Sequence, residues 1–343
     1  LDKQKLAAVN IENRLKEAKL SSHMTHIIAP GLEHKFPPEW QKKVEAELQK
    51  HVGYSIKRPE VPAKTHFITY TTKNSQAKQV TIEALEHQYQ RAEVETSYDG
   101  LLRIKTKNVL ALSVSNLPVV GKVLVLDGQE LALTEKGYFK KDGKWRIGNA
   151  EELAPLKHRG LQGPIDDAFC DSFICVIGTG KPLNEASNTA ALAQLERFRK
   201  EWDKYMRGTL VVKKDTELTE QDAKSHLILF GDPGSNAYLA KVLPKLPLKW
   251  DATKIEFGGQ QYSSKEHLPM LIYPNPASPG KYVVVNSGHT FHDAEFKGTN
   301  ALLFARLGDF AIVKPTPTAK EPAAFEVIAA GLFDNGWQVS QKK

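Results

Sequence analysis

Apolar and polar residues change rhythm three times along this chain. Near the start, Leu6, Val9, Ile11 and Leu15 recur between charged residues with no Gly or Pro, which predicts an amphipathic helix over residues 3–19. The apolar run 24–29 predicts a short strand, and Gly31 a turn. Pro37 and Pro38 suit the first turn of a second helix, where the amide that proline lacks would have no partner anyway. Trp40, Val44 and Leu48 then fall at i, i+4 and i+8, on one face of that helix. Helix, strand, loop and helix in this order make the closing unit of an α/β sheet. A segment this short cannot bury both faces of a sheet by itself.

Residues 53–64, with Lys57, Arg58, Pro59, Pro62 and Lys64, read as a linker. From 65 to 150 the pattern becomes short alternating runs such as THFITYTT, RAEVETSY, LLRIKTKN and VLALSVSN. Asp127-Gly128 and Asp142-Gly143 are hairpin signals, because a positive φ costs little there. Strands recurring about every ten residues predict an antiparallel β-sandwich. In residues 151–343 the rhythm changes again. Apolar strands at 173–178 and 226–231 alternate with helical stretches at 186–206 and 236–243. Further β-rich runs follow at 270–273, 282–286, 310–314 and 325–331. This predicts a second α/β domain with a mostly parallel sheet. The expected fold class is thus α/β plus all-β: residues 1–52 as the terminal piece of an α/β domain, a linker over 53–64, a sandwich over 65–150 and an α/β domain over 151–343.

Composition narrows the partners. With 41% hydrophobic and 25% charged residues, the 343-residue chain can bury real cores. The formal charge of +7 is spread over interspersed Lys and Glu, with no basic arm, zinc-finger spacing or RNA-binding aromatic signature, so no nucleic-acid partner is expected. No apolar run approaches the ~20 residues of a membrane span. The first twenty residues are charged throughout and lack the hydrophobic stretch of a signal peptide. A start without Met leads us to expect a processed or truncated beginning. Cys170 and Cys175 cannot build a disulfide scaffold. Buried thiols are expected, with a local bridge, closing a small loop, as the alternative.

The chemistry sits at predicted strand ends. His34 follows the first strand and precedes a helix, where an α/β serine hydrolase places its general base, last in chain order after nucleophile and acid. The chain contains no GxSxG elbow to supply the nucleophile. Three loops of the last region carry further candidates: Asp166 and Asp167 in GPIDDAF, Asp232, Ser235 and Asn236 in LFGDPGSN, and His289 and His292 in VNSGHTFH. In open α/β sheets, ligands bind in crevices at the carboxyl ends of strands, which makes these residues candidates for one pocket. LFGDPGSN lacks the Lys and Ser/Thr of a P-loop, but its turn into a helix leaves amides suited to an anion. Ordinary structural roles compete at every position: Asp, Ser and Asn cap helices and turns, and loop histidines bond backbone carbonyls. Without HExxH or equivalent spacing, neither a metal nor a cofactor is expected.

THIIAPGLEHKFPPEW resembles the C-terminal end of prolyl-oligopeptidase-like serine hydrolases, in which a strand, a Gly-x-x-His loop and a Pro-Glu-Trp helix close the α/β-hydrolase domain. GLQGPIDDAF, LILFGDPGSN and YVVVNSGHTF resemble the C-terminal extension of large bacterial multidomain members of that group. The resemblance spans nearly the whole chain. It implies an exported, periplasmic or extracellular peptidase or esterase, acting on a peptide or ester, with His34 as base. Serine and acid would lie on the protein's own N-terminal hydrolase half. On this expectation the chain alone is inactive. The competing expectations are a non-catalytic binding or structural module with its crevice near Asp232 and His289, and a separate activity of the last domain through His289 and the carboxylates.

Overall fold

The computed structural model describes residues 3–32, 35–50, 52, 63–115, 122–149, 152, 156–291 and 306–339. The chain divides into two compact units, Leu1–Pro59 and Glu60–Lys343.

The first unit contains α1 (Lys3–Glu17) and α2 (Pro38–Gln49), with Pro38 in the first turn of α2 as the sequence dictates. Residues 24–29 take no regular secondary structure and join no sheet, which corrects the expected strand. A strand needs a neighbour to complete its ladder, and among the described residues α1 and α2 give this segment side-chain hydrogen bonds instead. His26 Nδ1 lies 2.9 Å from Glu12 Oε2, and Thr25 Oγ1 donates to Glu47 Oε1 at 3.2 Å. Trp40 and Val44 are half-buried, whereas Leu6, Ile11, Ile27, Ile28, Phe36 and Leu48 are exposed. No described side chain of this unit is fully buried.

The second unit begins with ten strands: β1 (Lys64–Thr69), β2 (Gln76–Ala77), β3 (Val80–Leu85), β4 (Ala92–Tyr98), β5 (Leu102–Lys107), β6 (Val109–Val114), β7 (Val123–Leu126), β8 (Gln129–Ala132), β9 (Tyr138–Lys141) and β10 (Lys144–Ile147). They form two five-stranded sheets, ordered β1-β4-β5-β7-β8 and β10-β9-β6-β3-β2. Neighbours are antiparallel except β5 and β7. Period-two alternation turns Val94, Leu102, Ile104, Leu124 and Leu126 of one sheet toward Val80, Ile82, Leu112, Tyr138 and Trp145 of the other, in one shared core. The hairpin signals hold: Asp127 and Gly128 have φ of 49° and 84°, Asp142 and Gly143 of 52° and 72°.

Beyond them, β11 (Phe173–Ile177) is followed by α3 (Glu185–Glu201), β12 (Val212–Lys214), β13 (His226–Phe230) and α4 (Ala237–Val242). Then come β14 (Leu248–Trp250), β15 (Lys254–Phe257), β16 (Gln260–Ser263), β17 (Leu268–Pro274), β18 (Tyr282–Val285), β19 (Phe310–Pro315) and β20 (Phe325–Gly331). The large sheet runs β12-β11-β13-β18-β17-β19-β20. Its pairs β11–β12, β11–β13 and β13–β18 are parallel, and the other three are antiparallel. The sheet is therefore mixed, not mostly parallel. The seven residues 275–281 between β17 and β18 are too few for the crossover that a parallel neighbour needs, so these strands pair as a hairpin. A separate antiparallel sheet, β14-β15-β16, was not expected. The described residues thus form a mixed α and β structure with several sheets and no closed barrel.

One buried imidazole in the large sheet makes stability depend on pH. His226 Nδ1 accepts the Tyr282 backbone N–H at 2.9 Å, which requires the neutral ring. Burial, and then Lys281, lower its pKa from 6.5 to about 4, while Asp171 and Asp167 oppose the shift and Lys73 adds to it. The folded state therefore binds fewer protons than the unfolded state between those values. Stability is full above pH 6.5 and falls as the pH drops to about 4. At about 1.4 kcal/mol per unit, the expected loss is about 3 kcal/mol. Urea midpoints across this range, compared with those of His226→Asn, check it; equal slopes for the two proteins would remove His226 from the account.

Candidate functional site

The three loops singled out in the sequence do lie at or beside strand ends of the large sheet, but their polar atoms are largely turned on one another. Asp232 Oδ1 accepts the N–H groups of Gly234 and Ser235 at 3.0 and 2.9 Å, and Oδ2 accepts that of Asn184 at 3.1 Å. Ser235 Oγ accepts from Asp232 N–H at 2.9 Å. Asn236 Oδ1 caps α4 by accepting Leu239 N–H at 3.0 Å, and its Nδ2 donates to the carbonyls of Val176 and Phe230 at 3.2 and 3.1 Å. Amides that would hold an anion are consumed within the turn, and α4 has only six residues. This loop is a closed structural turn. Asn286, at φ 52°, ties it to the end of β18 by accepting Gly231 N–H at 2.9 Å.

GPIDDAF, together with Gln162 just before it, has a different role: it fastens the first two sheets of this unit to the large sheet. Gln162 Oε1 accepts from Thr71 Oγ1 at 3.0 Å, from Thr72 N–H at 2.9 Å and from the Thr72 hydroxyl. Asp167 takes the Lys73 ammonium on one oxygen and the Tyr282 hydroxyl, at 2.8 Å, on the other. Burial works against the Lys73 charge, but Asp167 prevails and raises its pKa. The Tyr282 hydroxyl also accepts Gly163 N–H at 3.1 Å, and burial followed by the Asp167 charge push its pKa well above the usual phenol value. Asp166 turns the other way and accepts Thr290 N–H at 2.7 Å and Thr290 Oγ1 at 2.5 Å. The paired carboxylates therefore point to different partners and do not form an acid–base dyad.

His289 sits in a buried polar cluster that the sequence only half disclosed. Its Nε2 lies 3.3 Å from Glu201 Oε2, and Arg197 Nη2 donates to its carbonyl at 3.2 Å. Phe198 meets the imidazole edge-on at 5.3 Å. Burial lowers the Arg197 pKa, opposed by Glu201 and Asp166; burial raises that of Asp166, opposed by its bonds from Thr290. His289 is 2% exposed, so no solvent-borne substrate reaches the ring in this conformation. His34 and His292 lie outside the described residues. Among the described residues no three His, Cys, Asp or Glu side chains gather to hold a metal ion. Both cysteines are free thiols, Cys175 buried and Cys170 exposed.

The residues that sequence reasoning missed lie close to this junction. The Lys157 ammonium and Asp309 Oδ2 form a fully buried ion pair at 2.5 Å, with Phe333 N–H donating to the same oxygen at 2.8 Å. The Lys157 nitrogen lies 5.0 Å from the Trp337 ring centroid. Nothing in the local pattern around Lys157 or Asp309 marks either as buried.

A groove of about 660 Å³ at the β14-β15-β16 sheet has no residue of the three loops in its lining. No helix among the described residues is long and apolar enough to cross a membrane. Comparison with protein-family models, with curated proteins and with solved structures gives no match.

Proposed function

We propose that this chain is the C-terminal part of a serine hydrolase acting on peptides or esters. In this reading the first unit completes an α/β-hydrolase sheet and delivers His34 to a serine and an acid on the N-terminal half. The second unit, a β-sandwich followed by an α/β domain, is an extension that does no chemistry. The carrying observation is the stretch 24–29, strand-like in composition, which has no ladder partner among the described residues and leaves its own Ile27 and Ile28 exposed, as Phe36 is further on. Unpaired backbone that carries exposed apolar side chains is what pairing with the edge of a sheet would cover. His34 would take the serine proton as the hydroxyl attacks the carbonyl, then return it to the leaving group.

A second reading, a non-catalytic binding or structural module, draws on the internal satisfaction of the strand-end loops. The two readings part on one measurement. The purified chain should not hydrolyse p-nitrophenyl butyrate above the buffer rate, and His34→Ala should change nothing. In the gene's complete translation product, a fluorophosphonate should label one serine, and His34→Ala should slow that labelling by about 100-fold or more. If that product carries no reactive serine, the hydrolase reading is wrong and the module remains.

A further inference from the structure

An ammonium offers three N–H donors and a carboxylate several lone pairs. Buried ions are tolerated when those groups are met. At Lys157 and Asp309 most of them are not. Both side chains are fully buried. Among the described residues the Lys157 ammonium has one hydrogen-bond acceptor, Asp309 Oδ2 at 2.5 Å, and otherwise faces the Trp337 ring. Asp309 Oδ1 is buried with no partner at all. Other lysines meet their carboxylates in reach of water: Lys73 beside Asp167 and Lys213 beside Asp222 are both partly exposed.

Backbone bonds fix the two residues in this position. Lys157 N–H donates to the Asn335 carbonyl at 2.8 Å, Asp309 N–H donates to the Gly331 carbonyl at 2.8 Å, and the Asp309 carbonyl accepts Ile272 N–H at 2.9 Å. A nucleophile held beside its carbonyl carbon reacts with an effective concentration of up to about 10⁵–10⁸ M. Burial raises the Asp309 pKa, which favours the protonated carboxyl. A proton passed from the ammonium to the carboxylate leaves an amine, with a free electron pair, beside a carboxylic acid. Phe333 N–H, 2.8 Å from Oδ2, is placed to stabilise negative charge that develops on that oxygen.

We propose that Lys157 and Asp309 condense into a side-chain amide, an internal cross-link that spans 152 positions of the chain. The Lys157 nitrogen attacks Asp309 Cγ and forms the new C–N bond, while charge moves onto Oδ2 against Phe333 N–H. The Cγ–Oδ1 bond then breaks. Oδ1, which has no partner to lose, leaves as water with two of the three ammonium hydrogens, and the third stays on the amide nitrogen. Nothing is oxidised or reduced, and no co-reactant is needed. Two buried charges become one neutral amide, whose oxygen keeps the bond from Phe333. Before reaction the two groups form the ion pair already described. The inference does not depend on the hydrolase reading.

The test is the intact mass of the full chain, measured under denaturing conditions after overnight incubation of the folded protein. It should fall below the mass of the sequence by one water molecule. Tryptic digestion should then yield a branched peptide that joins residues 147–159 to residues 307–320, with no cleavage after Lys157. Lys157→Arg, which keeps the positive charge but offers no comparable nucleophile, should show the full mass and no branched peptide. A wild-type chain at the full mass of its sequence would overturn the inference. So would a lost water that maps to a succinimide at an Asp-Gly pair, which leaves the two peptides separate, or a loss that persists in Lys157→Arg. The wild-type measurement needs no altered protein, so misfolding of the variant cannot rescue the proposal.

Discussion

Replacing Lys157 by Met should cost about 3–5 kcal/mol of stability, because it leaves the Asp309 carboxylate fully buried without its counter-charge. The Asp309 pKa is already raised by burial, with Lys157 holding it back. Removing Lys157 raises it further, so the deficit should shrink as the pH is lowered and the carboxyl takes up a proton. Lys157→Met/Asp309→Asn should recover part of the loss, since the amide oxygen can still accept Phe333 N–H. Urea unfolding followed by tryptophan fluorescence measures all three proteins. A single variant within about 1 kcal/mol of wild type would mean that the pair is solvated in solution.

Gly163→Ala should be nearly as damaging, for a different reason. Gly163 has φ 73°, and a Cβ there would lie 2.1 Å from Asp309 Oδ1. The left-handed backbone costs an alanine about 1 kcal/mol, and forcing the contact apart adds about 1–3 kcal/mol, for about 3 kcal/mol together. Gly160 supplies the control: its φ is 85°, but a Cβ there meets nothing within 4 Å. Gly160→Ala should show only the backbone part. Equal losses at the two positions would leave no role for the clash with Asp309.

Most strands of the second unit were legible because their signals are local. Alternation marked β4 and β5, Asp-Gly marked two hairpin turns, and unbroken apolar runs marked β13 and β18. What failed depended on neighbours. Residues 24–29 have strand composition, yet a strand exists only when something pairs with it. The direction of β17 beside β18 depends on a seven-residue connection, not on either strand's own residues. The small sheet was missed because its strands are three or four residues long, too short to show a period, although Gly258-Gly259 sits at a hairpin turn with φ of 58° and 79°.

The candidate site was legible in position but not in role. Asp166, Asp167, Asp232 and His289 were found at loops that the structure does bring to the large sheet. Their partners Lys73, Arg197, Glu201 and Tyr282 lie 88 to 115 residues away: Asp167 reaches Lys73 across 94 positions and Tyr282 across 115, and His289 meets Arg197 across 92. Which carboxylate serves a substrate and which a neighbouring strand is decided by those long-range partners. Lys157 and Asp309, 152 positions apart, carried no local signal at all.

Near its end the chain reaches back to its earlier sheets. Asn335 Nδ2 donates to the Leu85 carbonyl at 2.6 Å and to the Glu86 carbonyl at 2.9 Å, across 250 and 249 positions. During synthesis those two acceptors leave the ribosome long before their donor is made. The early sheets can therefore collapse while translation continues, but their final seal must wait until about 250 further codons have been read.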